Sequence, residues 1–298
     1  MSPMTDALKS EYDVASILSV GARERQEDAV AVAFPDRTDL GFAVLSDGMG
    51  GHAAGDLASR AIVAEMFASL TLREATAATP IPEILCGAVR RANEGVKACI
   101  EASPDHGGMG GTVVATQISG DKLHWISVGD SVLYLFRDQK LRRLNADHSM
   151  APQLDLMVAK GAMTQAEAEA HPQRNCLTSA ITGGPIDEVD CPDRPIVLEH
   201  DDIVLQASDG LQFLPDPIIE ALLLRARNNS SQQIARDLMD ALDTLNDPEQ
   251  DNTSIVVIRA NAPGRQSRKG ILGRGSGAMV KALRRAVKPA VVPAPGQS

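Results

Sequence analysis

Aromatic residues, paired cysteines and long apolar runs are all scarce in this 298-residue chain. Phe, Trp and Tyr make up only 3% of it, so a core must be built mainly from Val, Ile, Leu, Ala and Met. The four cysteines form no C-x-x-C pair, which argues against a zinc site and favours four reduced core thiols. No apolar run approaches the ~18 residues of a membrane span, and the N-terminal sequence lacks the pattern of a signal peptide. We therefore expect a cytoplasmic protein.

Basic residues are outnumbered by acids over most of the chain. The formal charge is −10, and eight Lys and Arg without any acid lie after residue 259, which leaves −18 on the first 259 residues. An acidic body argues against nucleic-acid binding and suits a site that collects metal cations. The composition of residues 261–298 predicts a flexible basic tail. A short basic amphipathic helix at 278–288, in weak contact with a membrane or an acidic protein, is the alternative for that tail.

Runs of strand patterns and pairs of helical patterns, instead of strict alternation, predict an α+β layered domain. Residues 151–170 predict two short helices broken at Gly161, the second with a capping box of Thr164 and Glu167. Strands are predicted at residues 12–20, 29–34, 40–46, 112–118, 122–128, 131–136, 203–207 and 253–259. Longer helices are predicted around residues 62–70, 84–99, 217–227 and 230–245.

Five short acidic motifs lie where predicted strands begin or end. Any one of them is most simply a turn or a solvated surface. If the strands are central in their sheets, however, the carboxylates project from one end of the core, where they would repel one another unless cations neutralise them. The motifs are Glu27-Asp28, Ser46-Asp47-Gly48, Gly129-Asp130-Ser131, Ser208-Asp209-Gly210 and Asp251-Asn252.

Oxygen ligands of this kind suit Mg²⁺ or Mn²⁺ better than zinc or copper. Two such ions about 3.5–4 Å apart can hold a bridging hydroxide and clamp a phosphoryl group during in-line attack. The sequence has no GxSxG, HExxH or Walker motif that would indicate a competing mechanism.

Two further features flank these acids. The run from Gly48 to His52 is either a flexible loop or a place where the backbone approaches a metal or its waters. Arg23, four residues before Glu27, is either a surface residue or a clamp for two phosphate oxygens.

Taken in order, these motifs resemble the metal-dependent protein phosphatase family, type 2C or PPM-type, in its bacterial form. The matching segments are GARERQEDA, LSDGMGGHAAGDLAS, GMGGTVVA, VGDSVLYLF, DHS, ASDGL and DNTSIVVI, spread over residues 12–259. The resemblance implies a four-layer αββα sandwich, in which two central antiparallel β-sheets are flanked by antiparallel helix pairs. It also implies hydrolysis of phosphoserine and phosphothreonine at a centre of two Mn²⁺ or Mg²⁺ ions, with a third ion in some relatives.

The same resemblance implies a role for each matched residue. Asp47 would bridge both metals, and Asp47, Asp209 and Arg23 would be the catalytic residues. Arg23 would bind the substrate phosphate. Residues 1–11 would be a tail, 12–260 the phosphatase domain, and 149–184 a flap beside the site that influences substrate choice. The metal ligands or their supports would be Glu27, Asp28, Asp47, the carbonyl of Gly48, Asp130, Asp209 and Asp251.

Five positions depart from the family pattern. Gln26 replaces Asn, Asp56 replaces Glu, Gly111 replaces Thr, and Val132 replaces Arg. Met49 stands where some eukaryotic members have a His general acid, so leaving-group protonation is expected from water. None of these changes removes a proposed metal ligand.

Two histidines within the matching segments are candidates for acid catalysis. We favour a loop-stabilising role for His52 and packing beside the flap for His148.

The first functional hypothesis is a protein serine/threonine phosphatase that opposes a bacterial Ser/Thr kinase. Its partners would be that kinase and phosphorylated proteins, and we expect a monomer. The alternative is a catalytically weak phosphoprotein-binding module on the same fold, and a third hypothesis is a phosphatase of small esters. The complete set of Asp47, Asp209 and Asp251 favours the first, because a binding module needs no full set of ligands.

Overall fold

The computed structural model describes residues 12–35, 40–50, 53–72 and 79–261. The expected tails, at residues 1–11 and from 262 onward, lie outside the described residues, as does His52. The interpretations of the basic tail and of His52 therefore stay predictions. Within the described ranges, no helix combines the length and the apolar character that crossing a membrane requires.

The described residues form eleven strands, six α-helices and two 3₁₀ turns. The strands are β1 (Tyr12–Ser19), β2 (Asp28–Ala33), β3 (Leu40–Met49), β4 (Gly110–Gly111), β5 (Val113–Ser119), β6 (Lys122–Val128), β7 (Val132–Arg137), β8 (Lys140–Arg143), β9 (Ile196–Val197), β10 (Ile203–Ala207) and β11 (Thr253–Ala260). The helices are α1 (Ala53–Thr71), α2 (Ile81–Ala102), α3 (Ala151–Ala159), α4 (Gln165–Glu169), α5 (Asp216–Ala226) and α6 (Ser231–Leu245), and 3₁₀ turns occupy Pro104–His106 and Asp209–Phe213.

The strands form two antiparallel sheets. The five-stranded sheet has the order β1-β11-β10-β7-β8. The six-stranded sheet has the order β2-β3-β5-β6-β9, with β4 paired to the end of β3. In the first sheet Tyr12 lies opposite Ala260 and Ser19 opposite Thr253, so β1 and β11 match end to end.

Side chains that alternate along the central strands separate the core into three layers. On β7, Leu133 and Leu135 point between the two sheets, where they share a cluster with Leu45 and Val114 of the other sheet. The intervening Tyr134 faces α5 and α6 instead. This period-two alternation is what a strand buried on both faces requires.

The outer faces of both sheets are covered by helix pairs. Helices α5 and α6 pack on the five-stranded sheet, whereas α1 and α2 pack on the six-stranded one through residues such as Ile62 and Leu85. The order of layers is therefore helix, sheet, sheet, helix, which confirms the predicted αββα sandwich. The two short helices predicted at 151–170 are α3 and α4, and the capping box of Thr164 and Glu167 is present.

Three local expectations were wrong or incomplete. The third strand does not stop at residue 46, because β3 continues through Asp47 to Met49 by pairing with β4, so the glycine-rich run begins inside a strand. Strand β8 was not predicted, because its hairpin turns on Asp138 and Gln139, two non-glycine residues with φ of 50° and 66°. Cys176 is exposed and is not a core thiol, while the other three cysteines are half-buried and also free.

Candidate metal centre

Acidic residues from distant parts of the chain meet at one end of the sandwich. Glu27 precedes β2, Asp47 lies near the end of β3, Asp130 precedes β7, Asp209 follows β10 and Asp251 precedes β11. With the Gly48 backbone they line a single cleft of about 670 Å³. The antiparallel pairing of the two sheets is what brings these strand ends to the same pole.

Asp28 lies beneath this cleft and does not line it. Its side chain is buried and accepts a hydrogen bond from the Ser208 hydroxyl (2.7 Å). It also stands opposite Asp47 in the pairing of β2 with β3. These contacts place Asp28 under the cluster as a supporting carboxylate, in direct contact with the residue before Asp209.

Arg23 lies at the rim of the cleft. Its Nη2 donates to Asp251 Oδ2 (2.7 Å), and 56% of its side chain is exposed. Asn252 fixes the loop that carries Arg23 and Glu27, because its amide donates to two carbonyl oxygens of residues 20–25 and its Oδ1 accepts the Glu27 N–H (2.6 Å). One residue of the Asp251-Asn252 motif thus contacts Arg23, and the other sets the position of Glu27.

Thr112 holds the end of β3 in place. Its hydroxyl accepts the Asp47 N–H (3.0 Å), and its own N–H donates to the Asp47 carbonyl (2.8 Å). Its hydroxyl also lies 2.7 Å from that of Ser131, the residue after Asp130. The motif analysis did not single out Thr112, since a hydroxyl that bonds to backbone leaves no spacing pattern in a sequence.

The carboxylates raise one another's pKa values. Burial, and then the charges of Asp209 and Asp28, raise the pKa of Asp47 well above its ordinary range. Burial, and then the charges of Asp209 and Asp147, raise the pKa of Asp130 to about 7. Burial is the largest cause of the shift of Asp28, whose pKa is also raised to about 7.

The pKa values of Asp209 and Glu27 are raised in the same way. Burial and the nearby Asp251 raise the pKa of Asp209 and that of Glu27. A cleft in which several buried acids resist ionisation is electrostatically unfavourable at neutral pH without cations.

The donor set fits hard cations. The side chains lining the acidic end offer oxygens, and one of them, Asp209 Oδ1, is buried without a hydrogen-bond partner. In the part of the chain that the structure describes, no three Asp, Glu, His or Cys side chains stand close enough to enclose an ion by themselves. Mg²⁺ in proteins usually keeps several waters and is held by one or two carboxylates.

Comparison with known proteins agrees with this geometry. The sequence profile of the family described as protein phosphatase 2C matches residues 20–250. The chain belongs to this family. The serine/threonine protein phosphatase PstP of Mycobacterium tuberculosis is 36% identical over 182 residues, which are 61% of this chain and 33% of that protein. The chain thus aligns with only a third of PstP.

One further relative and one solved structure are matched over most of their length. The serine/threonine phosphatase stp of Listeria monocytogenes is 31% identical over 214 residues, covering 70% of this chain and 82% of that protein. The crystal structure of the catalytic domain of PstP, in complex with two manganese ions, is 28% identical with a TM-score of 0.67 and covers 84% of this chain and 99% of that one.

Two departures from the phosphatase 2C pattern have a structural reason. Val132 is fully buried against α5 and α6, where a longer charged side chain would have no room. Gly111 pairs with Gly48 and lies against the Asp47 backbone, and a Cβ at Gly111 would stand 2.7 Å from the Asp47 carbonyl oxygen. The missing hydroxyl at position 111 is therefore replaced by close backbone packing.

We expect the family-like substitution Gly111→Thr to be harmful in this chain. The added side chain must displace the Asp47 backbone or Ile62, and overpacking of this kind costs about 1–3 kcal/mol. The melting temperature and the rate of phosphate release should both fall. Gly87→Ala on α2 is the matched control, because its nearest heavy atom would be 3.7 Å away. A Gly111→Thr protein as stable and active as the parent would contradict the packing argument.

Proposed function

We propose that this chain is a metal-dependent phosphatase that removes phosphate from phosphoserine and phosphothreonine in proteins. The observation that carries the proposal is the meeting of five acids in one cleft, from positions up to 224 residues apart in the numbering. Burial and neighbouring carboxylates raise the pKa values of Asp47 and Asp209 there. Membership of the phosphatase 2C family supports the same reaction class.

The roles of the acids follow from their positions. Asp47, in the middle of the cluster, is suited to bridge two cations, with Glu27, Asp209 and Asp251 around them. The Gly48 carbonyl would be a further ligand. Asp130, beside Asp209, would serve a third ion. Two Mn²⁺ or Mg²⁺ ions held there would supply an activated water and neutralise charge on the phosphoryl oxygens.

Arg23 is our candidate for binding the substrate phosphate. One nitrogen of its guanidinium is held by Asp251, and this contact orients the side chain along the rim of the cleft. A guanidinium has five N–H donors, so the remaining ones are free to engage phosphate oxygens when the substrate arrives. The half-exposed position of Arg23 allows it to meet a phosphate that enters from solvent.

The shape of the cleft favours a protein substrate over a small ester. One wall is formed by the flap, through residues 175–180, and the cleft is open to solvent. A phosphorylated side chain can therefore enter while the rest of its peptide stays at the surface. A protein substrate implies a kinase that phosphorylates it, and we infer a Ser/Thr kinase as the opposing partner.

The direct test is release of inorganic phosphate from phosphothreonine and phosphoserine peptides by the purified chain in Mn²⁺. We expect multiple turnovers, and a higher kcat/KM for the peptides than for p-nitrophenyl phosphate under the same conditions. Tight binding of the peptides by metal-loaded protein without turnover would favour the binding-module alternative. Preference for the small ester would favour the third hypothesis.

A further inference from the structure

A short segment, residues 143–148, wraps around the turn that carries Asp130. Arg143 donates to the Asp130 carbonyl oxygen (3.1 Å), and the Asn145 amide donates to the Ser131 carbonyl oxygen (2.9 Å). His148 binds Gly129 twice. Its ring Nδ1 accepts the Gly129 N–H (3.1 Å), and its backbone N–H donates to the Gly129 carbonyl (3.1 Å). Every residue of the turn from 129 to 131 is thus held through its backbone.

Two of the residues that hold the turn are buried away from the cleft. His148 is 3% exposed and Asn145 is 6% exposed, and neither lines the acidic cleft. Both polar atoms of the Asn145 side chain are hydrogen-bonded, since its Oδ1 also accepts the Leu133 N–H (2.8 Å) at the start of β7. Their bonding capacity is directed at the backbone of the turn, which is the arrangement expected of a support.

The position of this turn affects Asp47 through Thr112. The Ser131 hydroxyl lies 2.7 Å from the Thr112 hydroxyl, which accepts the Asp47 N–H. Gly129 has φ of +102°, and a Cβ on it would stand 2.6 Å from Thr112 Cγ2, so the turn packs tightly on Thr112. A displacement of the turn therefore moves Asp130 directly and disturbs Asp47 through one intermediate residue.

On its other side, the same segment is joined to the flap. The Thr178 N–H donates to the His148 carbonyl (2.8 Å), and the Met150 N–H donates to the Cys176 carbonyl (3.0 Å). His148 therefore lies between the base of the flap and the Asp130 turn, with backbone bonds to both.

We propose that His148, with Asn145 and Arg143, is a positioning residue that fixes the Asp130 turn and thereby sets how tightly the carboxylate cluster holds its cations. This inference rests on the proposed function, because it assigns these residues to the support of that metal centre. Outer groups that orient metal ligands typically change metal affinity about 10- to 100-fold when they are replaced.

The test compares Mn²⁺ binding by variants that keep or lose the bond to Gly129. His148→Leu removes the acceptor, whereas His148→Asn keeps an acceptor at the same bond separation from Cα as Nδ1. The Mn²⁺ concentration at half-maximal thermal stabilisation, measured without substrate, should rise roughly 10- to 100-fold in His148→Leu. It should return towards the parent value in His148→Asn, and the Mn²⁺ dependence of phosphate release should shift in parallel.

His171→Leu is the matched control. Its Nδ1 accepts a backbone N–H from Gln173 (3.2 Å) in the same manner, but away from the acids, and its Mn²⁺ dependence should equal that of the parent. If His148→Leu does not fold, Arg143→Met removes the bond to the Asp130 carbonyl, together with the ion pair to Asp147 (3.0 Å), and should give a smaller shift in the same direction.

The outcomes separate this inference from the proposed function. An unchanged Mn²⁺ requirement in folded His148→Leu or Arg143→Met, beside a parent that is active, overturns the positioning role alone. A lower melting temperature of the metal-free variant with no change in Mn²⁺ affinity would show a merely structural role and also overturn it. A parent that binds Mn²⁺ without releasing phosphate contradicts the proposed function, while the binding comparison among the variants still decides the positioning role.

Discussion

Removal of divalent cations with EDTA is expected to abolish phosphate release and to lower the melting temperature, more strongly at about pH 7.5 than at about pH 5. Activity is lost because, in the proposed mechanism, the attacking water is activated by the cations. Stability is lost because the acids around Asp47 are then left to repel one another.

The pH dependence follows from the direction of the pKa shifts. Asp28 and Asp130 have pKa values of about 7 in the fold without metal, against an ordinary value of 3.8. Between these limits the folded protein holds protons that the unfolded chain has released, so the stability that is present at acid pH is lost as the pH rises towards 7. Cations replace those protons, and their contribution is therefore greatest when both carboxyls are ionised.

Calorimetric scans with and without Mn²⁺ at the two pH values would measure this effect. Adding Mn²⁺ back after dialysis should restore both the melting temperature and the turnover. Full turnover in metal-free buffer, or a metal-induced stabilisation that is larger at about pH 5, would contradict the account of the acidic cleft.

Asp209→Asn is expected to lower turnover at least about 100-fold while the protein stays folded, since loss of a mere supporting group already costs 10- to 100-fold in metal sites. Asp209 lies beside Asp47 and Asp130 in the cluster, and its Oδ1 is buried without a hydrogen-bond partner in the protein. An amide of the same shape removes a charge that the cations need. It also removes one charge from a repelling set, so the metal-free variant should melt no lower than the metal-free parent.

The control is Asp121→Asn, in the exposed turn between β5 and β6 at the far pole of the sandwich. It should leave turnover and Mn²⁺ affinity unchanged. Peptide hydrolysis and thermal unfolding measured on both variants separate loss of the site from loss of the fold. If Asp209→Asn kept a tenth or more of the parent turnover, Asp209 would not be a ligand of the catalytic centre.

The layers of the fold could be predicted because the strands are buried on both faces and the helices carry wide apolar stripes. Strand β8 could not, because Lys140–Arg143 reads as a charged surface segment and its turn lacks glycine. The true end of β3 could not be predicted either, because its last residues are glycine-rich, a composition that is typical of a loop. They continue the strand only by pairing with the two glycines of β4.

The acids of the site were visible in the sequence because each follows or precedes an apolar strand. The residues that hold them were not, since their bonds join positions that are far apart in the chain and often end on backbone atoms. Ser208 reaches Asp28 across 180 residues, and Asn252 reaches the Glu27 N–H across 225. The composition and the motif spacing do not reveal such pairs, because the partners come together only when the strands pair in the folded sheets.

The end-to-end match of β1 with β11 has a practical consequence. Tyr12 and Ala260 lie side by side, and the Tyr12 hydroxyl donates to the carbonyl of Gly120 in the β5–β6 turn, at the pole opposite the acids. Tags, carrier proteins or a surface linker joined at either position would stand away from the cleft. The two positions are also close enough for a short connector to join them, which would allow the chain to be reopened elsewhere as a circular permutant.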